Sequence, residues 1–266
     1  MDTVKLYLRS MGMLLKSQLQ YPASFLMQTL AQLVMEGGAL LAVILIVDRF
    51  DRLNQWMPGD LYFFFGVMSV TFYLTECFGR GITGAFPGMV RTGQLDTLLL
   101  RPRGVLTQVL CSAIDPRRVT CVAVGAAALA LGSRLSAVRW TALKELALCE
   151  SVLFGCLLVL ALFMIEAVFC IWSVKSIELV NAITYGGRSA CQYPIDIYAR
   201  PLRVLFTVVA PFALVLHVPV AYILDKPLYG WPEWTAFACP LAGVAAFLVM
   251  YAVFRRAMRH YRSTGS

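Results

Sequence analysis

Long apolar blocks divided by short charged links constrain this chain more than any other feature. Residues 24–47, 60–83, 116–133, 141–173 and 234–254 each hold few charges or none. A helix needs about 20 apolar residues to cross the roughly 30 Å hydrocarbon layer of a membrane, and each block approaches or exceeds that length. Hydrophobic residues make up 59% of the 266 and charged residues 14%, with a mean hydropathy of +0.72. Soluble domains carry charge on about a quarter of their residues. Backbone amides and carbonyls find no water in hydrocarbon, so each block must satisfy them within itself, as a helix does. The expected fold is an all-α integral membrane protein with about six transmembrane helices, a single domain over 1–266.

The ends and links orient the spans. In residues 1–22, Val4, Leu8, Met11, Leu15 and Leu19 recur at helical spacing beside Lys5, Arg9 and Lys16. This suits a helix in the membrane interface, or equally one packed on its neighbours. No A-x-A-like cleavage site follows the first apolar block, which reads as a retained span. The net charge of +8 gathers in the N-terminal helix, the loop 84–104, the pair Arg117–Arg118 and the tail 255–266. Lys and Arg concentrate on the cytoplasmic side of membranes. Six crossings put all four segments there, with both termini cytoplasmic and the links 48–58 and 225–232 outside. Arg134, Arg139 and Lys144 then run against the rule. The same charge in a soluble protein would suggest nucleic acid, but no nucleic-acid-binding motif accompanies it.

One stretch admits two maps. Residues 174–203 contain Lys175, Glu178, Arg188, Asp196, Arg200 and Arg203 and read as a loop, and 204–224 is apolar but carries Pro211 and Pro219. Either 204–224 is the fifth span, or 179–193 is a short polar span followed by a segment, 194–224, that dips into the membrane and returns.

Several chemistries are missing. The chain has five lysines (Lys5, Lys16, Lys144, Lys175 and Lys226), none preceded by glycine, so no P-loop lysine can reach nucleotide phosphates. Its two histidines, His217 and His260, stand in no zinc motif, and no G-x-S-x-G nucleophile elbow occurs. The eight cysteines form no C-x-x-C pair and read as small buried hydrophobes, leaving no metal site expected. Glu36, Glu76, Glu150 and Glu166 lie in or near apolar blocks. A charge at mid-bilayer costs on the order of 3 kcal/mol on insertion scales. Glu36, Glu76 and Glu166 are therefore candidates either for a translocation path or for polar contacts between helices. Gly79, Gly81, Gly84 and Gly88 suggest close helix packing. Tyr62, Phe63, Phe64, Trp231 and Trp234 fall where interfacial aromatics are expected. In the loop 84–104, Leu95, Leu98, Leu99 and Leu100 form an apolar knob rimmed by Arg91, Asp96 and Arg101, with Pro102 ending the helix.

That loop reads Arg91-Thr92-Gly93-Gln94-Leu95-Asp96-Thr97-Leu98-Leu99-Leu100-Arg101-Pro102. It resembles the RTGxLDxLLLRP segment of bacterial permeases in the type-2 ABC (ATP-binding cassette) exporter superfamily. Tyr185-Gly186-Gly187-Arg188 with Gln192-Tyr193-Pro194-Ile195-Asp196-Ile197-Tyr198, and the C-terminal Arg259-His260-Tyr261-Arg262-Ser263-Thr264-Gly265-Ser266, resemble the same branch in register. The resemblance implies a permease in the cytoplasmic (inner) membrane that binds no cofactor of its own. It would pair with a second permease, identical or related, and with two ABC ATPase subunits that hold ATP and Mg. The loop 84–104 would be its coupling element, through Arg91, Gly93, Leu95, Asp96, Leu98, Leu99, Arg101 and Pro102. The resemblance also favours the map with 179–193 as a span and 194–224 as a re-entrant segment, marked by Tyr193, Pro194, Tyr198 and Pro211. An ion-gradient-driven transporter and a non-catalytic membrane scaffold are the alternatives. Neither a repeated half nor a catalytic cluster supports them.

Overall fold

A computed structural model describes residues 3–49, 53–172, 177–228 and 230–261. The expectations placed on Lys175, on part of the 48–58 link and on the segment 262–266 lie outside them. The described residues are mostly helical and hold no strand, with α-helices in chain order α1 (Thr3–Leu19), α2 (Pro22–Arg49), α3 (Pro58–Arg80), α4 (Phe86–Arg91), α5 (Gln94–Leu99), α6 (Val105–Leu110), α7 (Arg118–Leu135), α8 (Ala142–Trp172), α9 (Ile177–Cys191), α10 (Arg200–Val204), α11 (Val218–Ile223), α12 (Thr235–Ala238) and α13 (Leu241–His260). Five helices are long and apolar enough to cross a membrane, starting at Pro22, Pro58, Arg118, Ala142 and Thr235. A sixth arises if the two helical segments Arg200–Val209 and Ala213–Ile223, bent by 86°, count as one span. The chain is a multi-pass, all-α membrane protein.

The bundle has a basic end, carrying Arg91, Arg101, Arg103, Arg117 and the tail of α13, and an opposite end carrying Trp56, Trp140 and Trp234. α3 is the central post. Pro58 opens it, and the Asp60 carboxylate accepts the Met57 amide at 2.8 Å, filling the free donors of a helix start. At its far end a π-helical turn, Gly81–Ala85, carries it without a break into α4. Phe63, Phe65, Met68 and Phe72 on α3 are wholly buried or nearly so.

Glycines set how closely α7 lies against α3. A Cβ on Gly66 of α3 would stand 2.5 Å from the Leu129 backbone, one on Gly132 of α7 2.5 Å from Phe63 N, and one on Gly125 2.8 Å from Ser69. Small residues let backbones meet in a bilayer, where packing and hydrogen bonds drive helix association. The seam expected at Gly79–Gly88 is only half present. Gly79 packs on Leu160 and Gly81 abuts the Val109 carbonyl, but a Cβ on Gly84 would meet only its own Arg80, and one on Gly88 would meet nothing. The π-helical turn moves these last two off the packed face.

Other expectations shift for equally local reasons. Tyr62, Phe63 and Phe64 are core residues, not interfacial ones, whereas Trp231 and Trp234 are exposed. On α1 the described side chains divide between two faces. Tyr7 donates to Phe78 O and Gln18 to Ile114 O, both at 3.1 Å, so their side faces the protein. Leu15 and Leu19 are left exposed, available to lipid. The last helix runs past residue 254 to His260.

Between α9 and α12 the chain begins and ends at one end of the bundle. Trp56 Nε1 donates to Asp196 at 2.9 Å, the Ile195 amide donates to His217 Nδ1 at 3.3 Å, and Lys226 Nζ donates to Gln55 O at 3.0 Å. Between these anchors the chain turns at Ala210-Pro211-Phe212, with Ala210 and Phe212 fully buried. Pro211 lacks the amide that would continue a helix, which suits a bend there. α9 itself has 15 residues, about 22 Å of helix at 1.5 Å per residue.

The α3–α7 seam makes a sharp prediction. Gly66→Leu should lower the detergent-solubilised protein's melting temperature by several degrees or prevent its accumulation, since overpacking typically costs about 1–3 kcal/mol. Gly88→Ala, measured alongside, should melt like the wild type.

Candidate functional site

Four helices meet in a buried lattice of charge. Glu36 of α2 and Glu76 of α3 are each 1% exposed. Glu36 accepts hydrogen bonds from Ser69 (2.6 Å) and Tyr73 of α3 and is ion-paired with Arg188 of α9. The Arg188 guanidinium also lies over the Tyr73 ring, 4.4 Å from its centroid. Glu76 pairs with Arg118, the first residue of α7, at 3.1 Å and with Arg80 at 3.4 Å, and accepts from Tyr185 of α9 at 3.1 Å. Arg118 reaches on to Gln32 of α2 at 2.7 Å and to Asp115 at 3.5 Å.

The burial and the geometry have one cause. A carboxylate removed from water is tolerated when a cation and hydrogen-bond donors surround it. Arg can do this from several directions, since its planar fork donates while its face stacks on aromatic rings. Helical spacing aligns the donors: Ser69, Tyr73, Glu76 and Arg80 follow one another at intervals of three and four along a single face of α3. The arginines that hold Glu36 and Glu76 belong to the chain itself. Glu166 of α8 is also buried, at 4% exposure. Arg80 and Tyr185 are its electrostatic neighbours, and its Oε2 has no hydrogen-bond partner among the described residues. Glu150, on the same helix, is half-buried.

At the basic end, α4 and α5 are joined by Gly93, whose φ of +70° lies in the left-handed region that glycine enters without strain. The knob is smaller than expected. Leu95 is fully buried and Leu98 half-buried, so both hold α5 to the bundle; Leu99 and Leu100 are exposed, Leu100 by 86%. Six residues of helix cannot show four leucines on one side, because neighbours on a helix are about 100° apart. Arg91, Arg101 and Pro102 are exposed around the knob, and Asp96 faces Tyr261 at the end of α13. Gln108 Nε2 donates to Leu98 O at 3.0 Å and to Arg103 O at 2.9 Å, clamping the loop from behind.

The opposite end carries a second polar cluster. Asp60 pairs with Lys226 at 3.0 Å and accepts from Ser136 at 2.6 Å. Lys144, which runs against the charge rule, pairs with Asp225 at 2.7 Å. Tyr198 donates to Ala190 O at 2.8 Å, and Tyr193 packs on the core. Trp56, wholly buried at the centre of this cluster, edges onto Phe64 and His217. Sequence reading passed over it; its only signal was a lone Trp in a polar link.

The described residues thus form a helical bundle with spans of membrane-crossing length, a short helix displayed at its basic end and charges buried between its helices. Comparison with protein families matches residues 33–265 to the ABC-2 family transporter protein. The chain belongs to the ABC-2 transporter family. Its members are permease components of ABC transporters and work with ABC ATPase subunits. No curated protein and no solved structure matches the chain.

For this ABC-2 permease, the Glu36–Arg188 pair should behave as a unit. Removing one charge strands the other, a loss of about 3–5 kcal/mol for buried pairs, whereas neutralising both costs far less. Glu36→Gln and Arg188→Gln should each lower the melting temperature in detergent more than the double variant does. Additive single effects would show that the pair contributes nothing as a pair.

Proposed function

We propose that this chain is the membrane-spanning subunit of an ATP-driven exporter in the inner membrane, with both termini cytoplasmic. It pairs with an identical or related permease and takes its energy from two ATPase subunits that hold ATP and Mg. The observation that carries the reading is the exposed pair Leu99–Leu100 on a helix anchored from behind. An apolar knob with a charged rim suits a groove in a partner, and a knob held rigidly to its own bundle transmits the partner's movement.

The relay runs through continuous structure. The knob sits at the end of α5, which Thr92 and Gly93 join to α4, and α4 continues α3 through the π-helical turn. α3 carries Ser69, Tyr73, Glu76 and Arg80, which tie it to α2, α7 and α9. A push on α5 therefore arrives at the charge lattice, whose ion pairs have discrete partners and can exchange them as the helices move between inward- and outward-facing states. Residues 194–224, pinned to the link before α3 by Trp56 and Lys226, form the re-entrant cover on the outer side. The ion-gradient alternative, for which Glu36 or Glu166 would be the site, has less support, because Glu36 is already held by Arg188 and Glu166 has Arg80 as a charged neighbour.

Leu99→Asp with Leu100→Asp should leave the protein folded and membrane-inserted, yet abolish co-purification of the ATPase and ATP-dependent transport. Leu95→Ala should act differently, lowering thermal stability by about 2–5 kcal/mol as buried leucine deletions do. ATP-driven transport that survives the double aspartate variant overturns the coupling assignment.

A further inference from the structure

Beside the coupling loop, at the basic end, lies a cleft of about 290 Å³ between the 103–107 segment and the last turns of α13. Arg103, Arg255 and Arg259 line it together with Tyr251, and Leu106 and Met258 supply apolar wall. No acidic residue lines the cleft, and among the described residues none of the three arginines joins an ion pair. All three are exposed.

The walls are built, not draped. Phe254, 2% exposed, packs on Phe86 with ring centroids 5.9 Å apart, which fixes the end of α13 against α4. The Arg255 guanidinium lies over the Tyr251 ring, 5.8 Å from its centroid. On the other wall, the Gln108 amide holds the Arg103 carbonyl at 2.9 Å. Beyond the cleft, Tyr261 meets Asp96 of the knob helix.

We propose that this cleft binds the phosphate of an anionic phospholipid headgroup and that the lipid braces the coupling helix against α13. The choice of occupant follows from charge and position. Three guanidinium groups without a carboxylate call for a phosphate, which they can grip through paired N–H donors. α13 is a membrane-spanning helix whose last turns reach the basic end, where anionic headgroups and the adjoining acyl chains meet basic and apolar side chains together. The proposal stands apart from the ATPase reading, since it needs only this chain and a bilayer.

The test is native mass spectrometry of the full chain, released from detergent containing equal phosphatidylglycerol and phosphatidylcholine. The wild type should retain phosphatidylglycerol preferentially. Arg255→Gln with Arg259→Gln should weaken that retention about thirty-fold, at roughly 1 kcal/mol per basic residue, while Arg139→Gln at the opposite end should leave it unchanged. Equal retention of the two lipids by the wild type, or undiminished preference in the double variant, overturns the proposal. Inorganic phosphate distinguishes the sources: binding of free phosphate to the cleft without lipid retention assigns it to a soluble anion and overturns the lipid. Loss of ATPase co-purification in the double variant with lipid retention intact assigns the cleft to a protein partner and overturns it too. If the double variant fails to fold, Arg255→Lys with Arg259→Lys takes its place. That pair should keep a preference that declines with added salt, and a preference insensitive to salt counts against the site.

Discussion

Two carboxylates beyond the reach of water, Glu36 and Glu76, govern how this bundle is assembled. Neither tolerates burial alone, and each draws an arginine from a helix far away in sequence. Glu36 brings α9 to α2 and α3; Glu76 brings the start of α7 to the same post. Apolar side chains alone would not choose among such arrangements, because lipid tails solvate leucine as well as protein does. The ion pairs have specific partners, so they select which helices become neighbours, and the glycines of α3 and α7 then let those backbones close to contact.

This explains why α9, short and polar by composition, belongs inside the bundle. A 15-residue helix carrying Arg188 has little reason to enter hydrocarbon until Glu36, Tyr73 and Phe72 are there to receive the guanidinium. Tyr185, one turn earlier, does the same for Glu76. The following segment inherits its position. With the end of α9 held near Trp56 through Asp196 and Ile195, residues 200–223 have both ends tied at one face of the molecule.

What could be read from the sequence divides along the same line. Length and apolarity identify the helices at Pro22, Pro58, Arg118, Ala142 and Thr235, because each satisfies its backbone within itself and needs no knowledge of neighbours. The glutamates could be picked out as costly, but their arginines could not be assigned, since Arg118 and Arg188 look like ordinary loop charges when read along the chain. The knob shows the limit at finer scale. Its four leucines are evident in the string, yet which of them face outward depends on how Gly93 turns α5 against the bundle. Trp56 escaped notice because its value lies wholly in Asp196, Phe64 and His217, three residues that only the folded chain brings together.

The placement of the lattice on α3 also bears on how such a protein can move without coming apart. A core of interdigitated side chains resists gradual deformation, whereas charges with alternative partners permit a change between discrete arrangements. Glu76 already has Arg118 and Arg80 within reach, and Arg118 has Glu76 and Asp115. A shift of α3 that breaks the Glu76–Arg118 contact leaves Glu76 with Arg80 on its own helix and Arg118 with Asp115 beside it, so the charges stay compensated while the helices change their relation. The tight α3–α7 seam would travel as one body in such a motion. α2 and α9 meet that body through the Glu36, Arg118 and Tyr185 contacts and are the parts whose partners can change, whereas the hairpin, with Phe212, Val215 and Leu216 buried in the core, stays with the bundle.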